Sequence, residues 1–108
     1  MFNKPSLKQL SSIPKIGKQD GEHTSETIIH AHIFGGSTDI YISEYDGADL
    51  LFGFTILNGD IDNAEWGYSS FQELCNVKLG YFELEWDIHW TPTKVKDIPN
   101  IVEAGGCW

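Results

Sequence analysis

The apolar positions of this chain repeat with the period of a β-strand far more often than with that of a helix. The longest run is Tyr81 to Trp90, where Phe82, Leu84, Trp86, Ile88 and Trp90 alternate with Tyr81, Glu83, Glu85, Asp87 and His89. That unbroken alternation predicts a half-buried antiparallel strand, ended by Pro92. Thr27 to Phe34 is β-rich and free of breakers, and Gly35-Gly36-Ser37 behind it predicts a hairpin turn. Thr38 to Tyr45 follows as a strand with Ile40 and Ile42 on one face and Asp39, Tyr41 and Ser43 on the other. After the Asp46-Gly47-Ala48-Asp49 turn, Leu50 to Leu57 is apolar on both faces, as a covered strand is. Asn58 to Asn63 is a loop by composition, and Ala64 to Tyr68 reads as a further strand.

Helical signals are short. Ser70 with Glu73, or Ser69 with Gln72, fits a capping box at the start of a helix of one or two turns, with Phe71 and Leu74 as its buried edge. Ser6 to Leu10 predicts a single turn after Pro5, and Pro14 ends regular structure there. A further turn is expected around Lys94 to Ile98. The fold class is therefore α+β and β-dominated: a mostly antiparallel sheet of about five strands with one or two short helices. The expected organisation is an N-terminal arm over 1–26, partly flexible, a single α+β domain over 27–99, and a tail over 100–108. Gln19 to Ser25 is expected to be a loop.

With 108 residues, 41% hydrophobic and 13% aromatic, the chain can bury one substantial core. Charge alters the picture more. The chain has seven basic residues, all Lys, against sixteen acids, for a formal net charge of −9. From Gln19 to Val77 there is no Lys or Arg, but there are Asp20, Glu22, Glu26, Asp39, Glu44, Asp46, Asp49, Asp60, Asp62, Glu65 and Glu73. Direct binding to nucleic acid or to an anionic membrane is disfavoured, because both rest on Lys and Arg. A basic protein partner, including the nucleic-acid groove of an enzyme, is the natural complement. No signal peptide or membrane span is visible, and Cys75 and Cys107 lack metal-ligand spacing, so free thiols and a cytoplasmic location are expected.

The candidate partner-binding residues follow from that field. Asp39, Glu44, Asp46, Asp49, Asp60, Asp62 and Glu65 lie in or between β elements, where a fold can fix their spacing. Glu83, Glu85 and Asp87 would sit about 6.5–7 Å apart along one strand face, near the phosphate spacing of a nucleic-acid backbone. Tyr41 and Tyr45, with Tyr68 and Tyr81, are expected on exposed faces, where tyrosine often anchors interfaces. Trp66, Trp86 and Trp90 are expected in the core.

An alternative is a small metal- or ligand-binding module. His30 and His32 are two apart on a strand and would face the same way, and His89 could complete a zinc site. Asn58, Asp60 and Asp62 alternate like calcium ligands, but the glycine and distal glutamate of an EF-hand are not at their offsets. Cys75 lies beside Asn76 with no histidine near it in sequence, and reads as structural. No cofactor motif and no catalytic residue stand out.

The stretches Ser43-Glu44-Tyr45-Asp46-Gly47, Leu57-Asn58-Gly59-Asp60 and Asn63-Ala64-Glu65-Trp66-Gly67-Tyr68 resemble the small acidic proteins of domain-of-unknown-function family 2958. Ser70-Phe71-Gln72-Glu73-Leu74, Trp90-Thr91-Pro92 and Asp97-Ile98-Pro99 extend the resemblance over roughly 27–99. It implies a setting: plasmids, conjugative elements and phage-related DNA of bacteria. The family has no established catalytic residues, so none is transferred. The expected function is a non-enzymatic, acidic interaction protein of a mobile element. It would inhibit a host nucleic-acid-directed defence enzyme, such as a restriction or CRISPR effector, by occupying a basic groove.

Overall fold

A computed structural model of the chain describes residues 1–19, 23–79 and 82–108, with backbone alone for 78, 79 and 82. Its strands are β1 (Ile28–Ile29), β2 (Ala31–Gly35), β3 (Thr38–Tyr45), β4 (Leu50–Ile56), β5 (Glu65–Ser70), β6 (Lys78–Leu79), β7 (Phe82–Glu83), β8 (Glu85–Trp86) and β9 (Thr93–Lys94). Three short helices accompany them: α1 (Leu7–Ser11), α2 (Phe71–Asn76) and α3 (Pro99–Glu103). The central sheet is antiparallel, in the order β5-β4-β3-β2-β8, and the small pairs β1-β9 and β6-β7 lie outside it. This is the α+β, β-dominated architecture that the period-two patterning predicts. No helix among the described residues is long and apolar enough to cross a membrane.

Alternation along β3 and β4 gives the sheet two apolar faces. Ile33, Ile40, Ile42, Leu51, Leu84 and Trp86 form one core, and Leu10 and Ile13 cover it. Tyr41, Phe54 and Ile56 form the other, covered by Val95, Ile98 and Ile101. The segments before 27 and after 99 are therefore parts of the packing, not an arm and a tail beside it. Pro14 O accepts the Tyr45 N–H, and the Gln19 side chain bonds the carbonyls of Ile28 and Ser43. The Gly106 carbonyl accepts the Trp66 indole N–H at 3.0 Å. Asp20, Glu22 and Tyr81 lie outside the described residues.

Local chemistry shapes the turns largely as its residue types predict. The Ser6 hydroxyl and Gln9 side chain form a reciprocal capping box on α1. Ser70 accepts the Glu73 N–H at the start of α2. Gly36 has φ 56 in the two-residue turn between β2 and β3, a left-handed conformation that glycine adopts without strain. Gly53 is fixed for another reason. A Cβ there would collide with the Tyr41 carbonyl on the neighbouring strand.

Two expected strands are divided. Thr27 to Phe34 breaks at His30, so that Ile29 packs in one core while Ala31 and Ile33 pack in the other. The expected strand Tyr81 to Trp90 changes partner at Leu84: β7 pairs with β6, and β8 with β2. It ends at Asp87, whose carboxylate accepts the His89 N–H at 3.0 Å and closes a turn. Ile88, assigned to the buried side by the alternation, is consequently 60% exposed.

Truncations read out this packing. Leu10→Ala and Ile101→Ala should each cost about 2–5 kcal/mol in urea unfolding, as buried truncations do. Ile88→Ala should stay within about 0.5 kcal/mol. A Leu10 or Ile101 variant as stable as wild type would remove that segment from the folded unit.

Candidate functional site

His32, on β2, is bonded to two carboxylates and packed among three aromatic rings. The register sets His32 opposite Tyr41 and Phe34 opposite Asp39, so all four share one face of the sheet. The imidazole stacks on Tyr41 with ring centroids 4.7 Å apart and on Phe34 at 5.4 Å. Its Nε2 lies 2.8 Å from Asp39 Oδ1 and its Nδ1 lies 2.9 Å from Asp87 Oδ2. The His32 side chain is 12% exposed. With both nitrogens facing carboxylates, the imidazolium is the form that can donate both bonds. Burial alone would push the imidazole pKa down. The hydrogen bonds and negative charges of Asp39 and Asp87 outweigh burial and leave it raised above its ordinary value. Burial likewise opposes ionisation of Asp87, but the bonds from His32 and the His89 N–H prevail and hold that carboxyl below its usual range.

Three segments meet at this clamp. The Asp87 N–H donates to the His32 carbonyl at 2.9 Å, which doubles the side-chain link. Trp90 leans on His32 with centroids 5.1 Å apart, and its indole N–H donates to the Ile29 carbonyl. The Tyr41 hydroxyl accepts from Asn100 Nδ2 at 3.0 Å, tying α3 to the same face. A cleft of about 350 Å³ opens beside Tyr41, Trp90 and Asn100. Sequence reasoning missed Asn100, because nothing local links it to Tyr41.

The histidines do not form the expected metal triad. Both His32 nitrogens are engaged by carboxylates, so neither offers a lone pair without breaking a bond. His30 sits at the strand break and lines a separate cleft with Gln9, Ser12 and Trp86. Burial pushes its pKa down. His89 is exposed in the turn after Asp87. Among the described residues no group of three or more His, Cys, Asp or Glu is arranged to hold a metal. Cys75 and Cys107 are free and half-buried.

The candidate partner-binding residues separate into several groups. Glu44 is 3% exposed and accepts the Gln19 N–H at 2.9 Å, so it is not a rim residue. Tyr41 and Tyr45 are buried in the two cores, where the strand faces carry them, and are not surface anchors. Asp39 and Asp87 belong to the clamp. Asp46 accepts the N–H groups of Ala48, Asp49 and Leu50, bonds that lower its pKa. Asp49 holds the start of α2 through the Ser70 hydroxyl and the Gln72 N–H. Asp60 caps the turn at Asn63, a structural role for the Asn58-Asp60-Asp62 stretch. Glu83, Glu85 and Asp87 do not form a row. Glu83 lies opposite Lys78, Glu85 opposite Phe34, and Asp87 turns to His32. Asp62 and Glu65 are exposed and have no hydrogen-bond or ion-pair partner among the described residues.

No protein-family model, curated protein or solved structure matches the chain. Residues and geometry alone therefore bear on what it does.

The clamp makes a pH prediction. His32 has a raised folded pKa, so its stabilisation is fully present below about pH 6.5 and is lost as pH rises through the folded value. His30, with a lowered pKa, acts in the opposite direction and below about pH 6.5. Urea midpoints measured from pH 6.5 to 9 should fall for wild type and fall less for His32→Gln. Equal slopes would mean that His32 is not protonated between its two carboxylates.

Proposed function

We propose that the protein is a small, non-enzymatic, acidic interaction protein that binds a basic groove of a partner. In the setting implied by the family resemblance, that partner is a host nucleic-acid-directed defence enzyme, such as a restriction or CRISPR effector, and binding inhibits it. The observation that supports this reading is the way the carboxylates are used. Glu44, Asp46, Asp49 and Asp60 are engaged by backbone N–H groups, and Asp39 and Asp87 by His32, yet no Lys or Arg lies between Gln19 and Val77. The backbone N–H bonds fix a carboxylate in place without cancelling its charge, whereas a protonated His32 offsets one of the two charges at Asp39 and Asp87. The field around β5 therefore stays negative, and Asp62 and Glu65 are free to meet a cation. Rigid negative charge is what a Lys- and Arg-lined groove attracts, both in steering and in specificity.

The double variant Asp62→Lys/Glu65→Lys tests the surface. These side chains are exposed and unpartnered among the described residues, so their reversal should leave the fold intact. Capture of a basic protein from bacterial lysate should weaken at least tenfold with this variant, and less with Glu83→Lys/Glu85→Lys. Raising salt from about 0.05 M to about 0.5 M should release the partner, because the Debye length shrinks several-fold. A complex indifferent to salt and to both variants would sink the reading.

A further inference from the structure

The two edges of the central sheet are treated differently. At one edge, residues near the N-terminus cover β8: the Phe2 N–H donates to the Leu84 carbonyl and the Phe2 carbonyl accepts from the Trp86 N–H, both at 2.9 Å. At the other edge, β5 pairs with β4 alone. Among the described residues, no backbone hydrogen bond outside that ladder reaches Glu65 to Ser70. An open strand edge presents a row of unpaired N–H and C=O groups, and proteins commonly guard it with Lys, Pro or a bulge. Glu65-Trp66-Gly67-Tyr68-Ser69-Ser70 has no Lys or Pro, and its ladder with β4 is continuous.

An apolar corner adjoins that edge. The register puts Leu50, Phe52, Trp66 and Tyr68 on one face of the sheet. Phe52 lies between Tyr68 and Trp66, with ring centroids 5.0 and 5.9 Å away. Trp66 is held under Gly106, whereas Tyr68 is 61% exposed and Leu50 43%. Acids flank both ends of the strand. Asp62 stands before it and Glu65 begins it, and Asp49 and Glu73 are at its far end, by the start of α2.

We propose that the β5 edge is a docking site for an extended basic segment of a partner, added to the sheet as a sixth, outermost strand. Main-chain pairing would supply affinity, and side chains at alternate positions would supply specificity. Apolar or aromatic side chains of the segment would meet Tyr68, Phe52 and Leu50. Its cations would meet the acids at the two ends, about 17–20 Å apart for a strand of this length. Charge selects this occupant over a second copy of the chain, because two edges of a protein carrying −9 would face each other with like charge. The inference rests on the basic-partner reading and narrows it to one edge and one conformation.

A synthetic peptide, Lys-Lys-Val-Thr-Val-Thr-Val-Lys-Lys, is the probe. Its control has the same sequence with alternate backbone nitrogens methylated along each edge in turn, which keeps the charge and removes the donors. Tryptophan fluorescence gives affinity, and amide hydrogen exchange gives location. The unmodified peptide should bind at least tenfold more tightly than the methylated form that blocks its pairing edge. Outward amides of Glu65 to Ser70 should slow at least tenfold in the complex. Tyr68→Lys should weaken binding at least fivefold with the thermal midpoint unchanged. Equal affinity for all peptides, with steep salt dependence, would overturn strand addition while leaving a basic partner in place. Binding by none of them would count against both. Sedimentation showing β5-dependent self-association would assign the edge to a second copy and overturn the proposal.

Discussion

A single imidazole, set between two carboxylates, holds the sheet to the segments that close it. Asp39 on β3 and Asp87 just after β8 both converge on His32. Two carboxylates brought to one half-buried position repel each other. An imidazole hydrogen-bonded to both and stacked on Tyr41 and on Phe34 turns that repulsion into an attachment when it carries the proton. Other contacts follow from it. Asp87 held at His32 bends the chain into the turn that swings Trp90 over Tyr41, and Trp90 reaches back to the Ile29 carbonyl. Tyr41, fixed under Trp90, presents its hydroxyl to Asn100 and so seats α3 on the second core.

The same demand recurs through the acidic stretch. A folded segment with many carboxylates and no Lys or Arg must stabilise them by hydrogen bonds, and the turns supply backbone N–H groups for that purpose. Asp46 takes three, Asp49 takes one with a hydroxyl, and Glu44 takes one while buried. Lysine ion pairs lie at the periphery, where Lys94 and Lys96 meet Glu26 on the surface and contribute little. The acidity thus has a structural share, in which short polar side chains set turns and helix starts, and an exposed share that includes Asp62, Glu65 and Glu73.

Strands β3, β4 and β5, the turns between β2 and β4, and the capped starts of α1 and α2 were legible because their signals are local. Period-two alternation, Asp-Gly and Gly-Gly turns, and Ser-x-x-Glu spacing act within a few residues. Tyr81 to Trp90 was misread for the opposite reason. Its alternation is genuine, but Phe2 reaching Leu84 and Trp86, and His32 reaching Asp87, are long-range contacts that redirect a strand without leaving a trace in its pattern. The buried tyrosines illustrate a related limit. Tyr41 sits on the strand face shared with Asp39, so alternation made it polar; the α3 segment, far away in sequence, made that face a core. Of the candidate site, Asp62 and Glu65 kept their exposed places, whereas Glu44, Tyr41 and Tyr45 moved inside.

The net charge and the open β5 edge are best understood together. An unguarded edge with exposed Tyr68 and Leu50 would invite a second copy to pair, which most sheet proteins prevent with lysines on the strand itself. Under the docking proposal the protection would come from the field instead, because an approaching copy carries the same net charge of −9. A lysine on β5 would guard against all partners alike. Carboxylates at the two ends of the strand would repel acidic partners only, and they lower in energy when a cation arrives. On the proposed reading, the lysine-free composition of the stretch would make the edge selective, closed to its own kind and open to a basic strand.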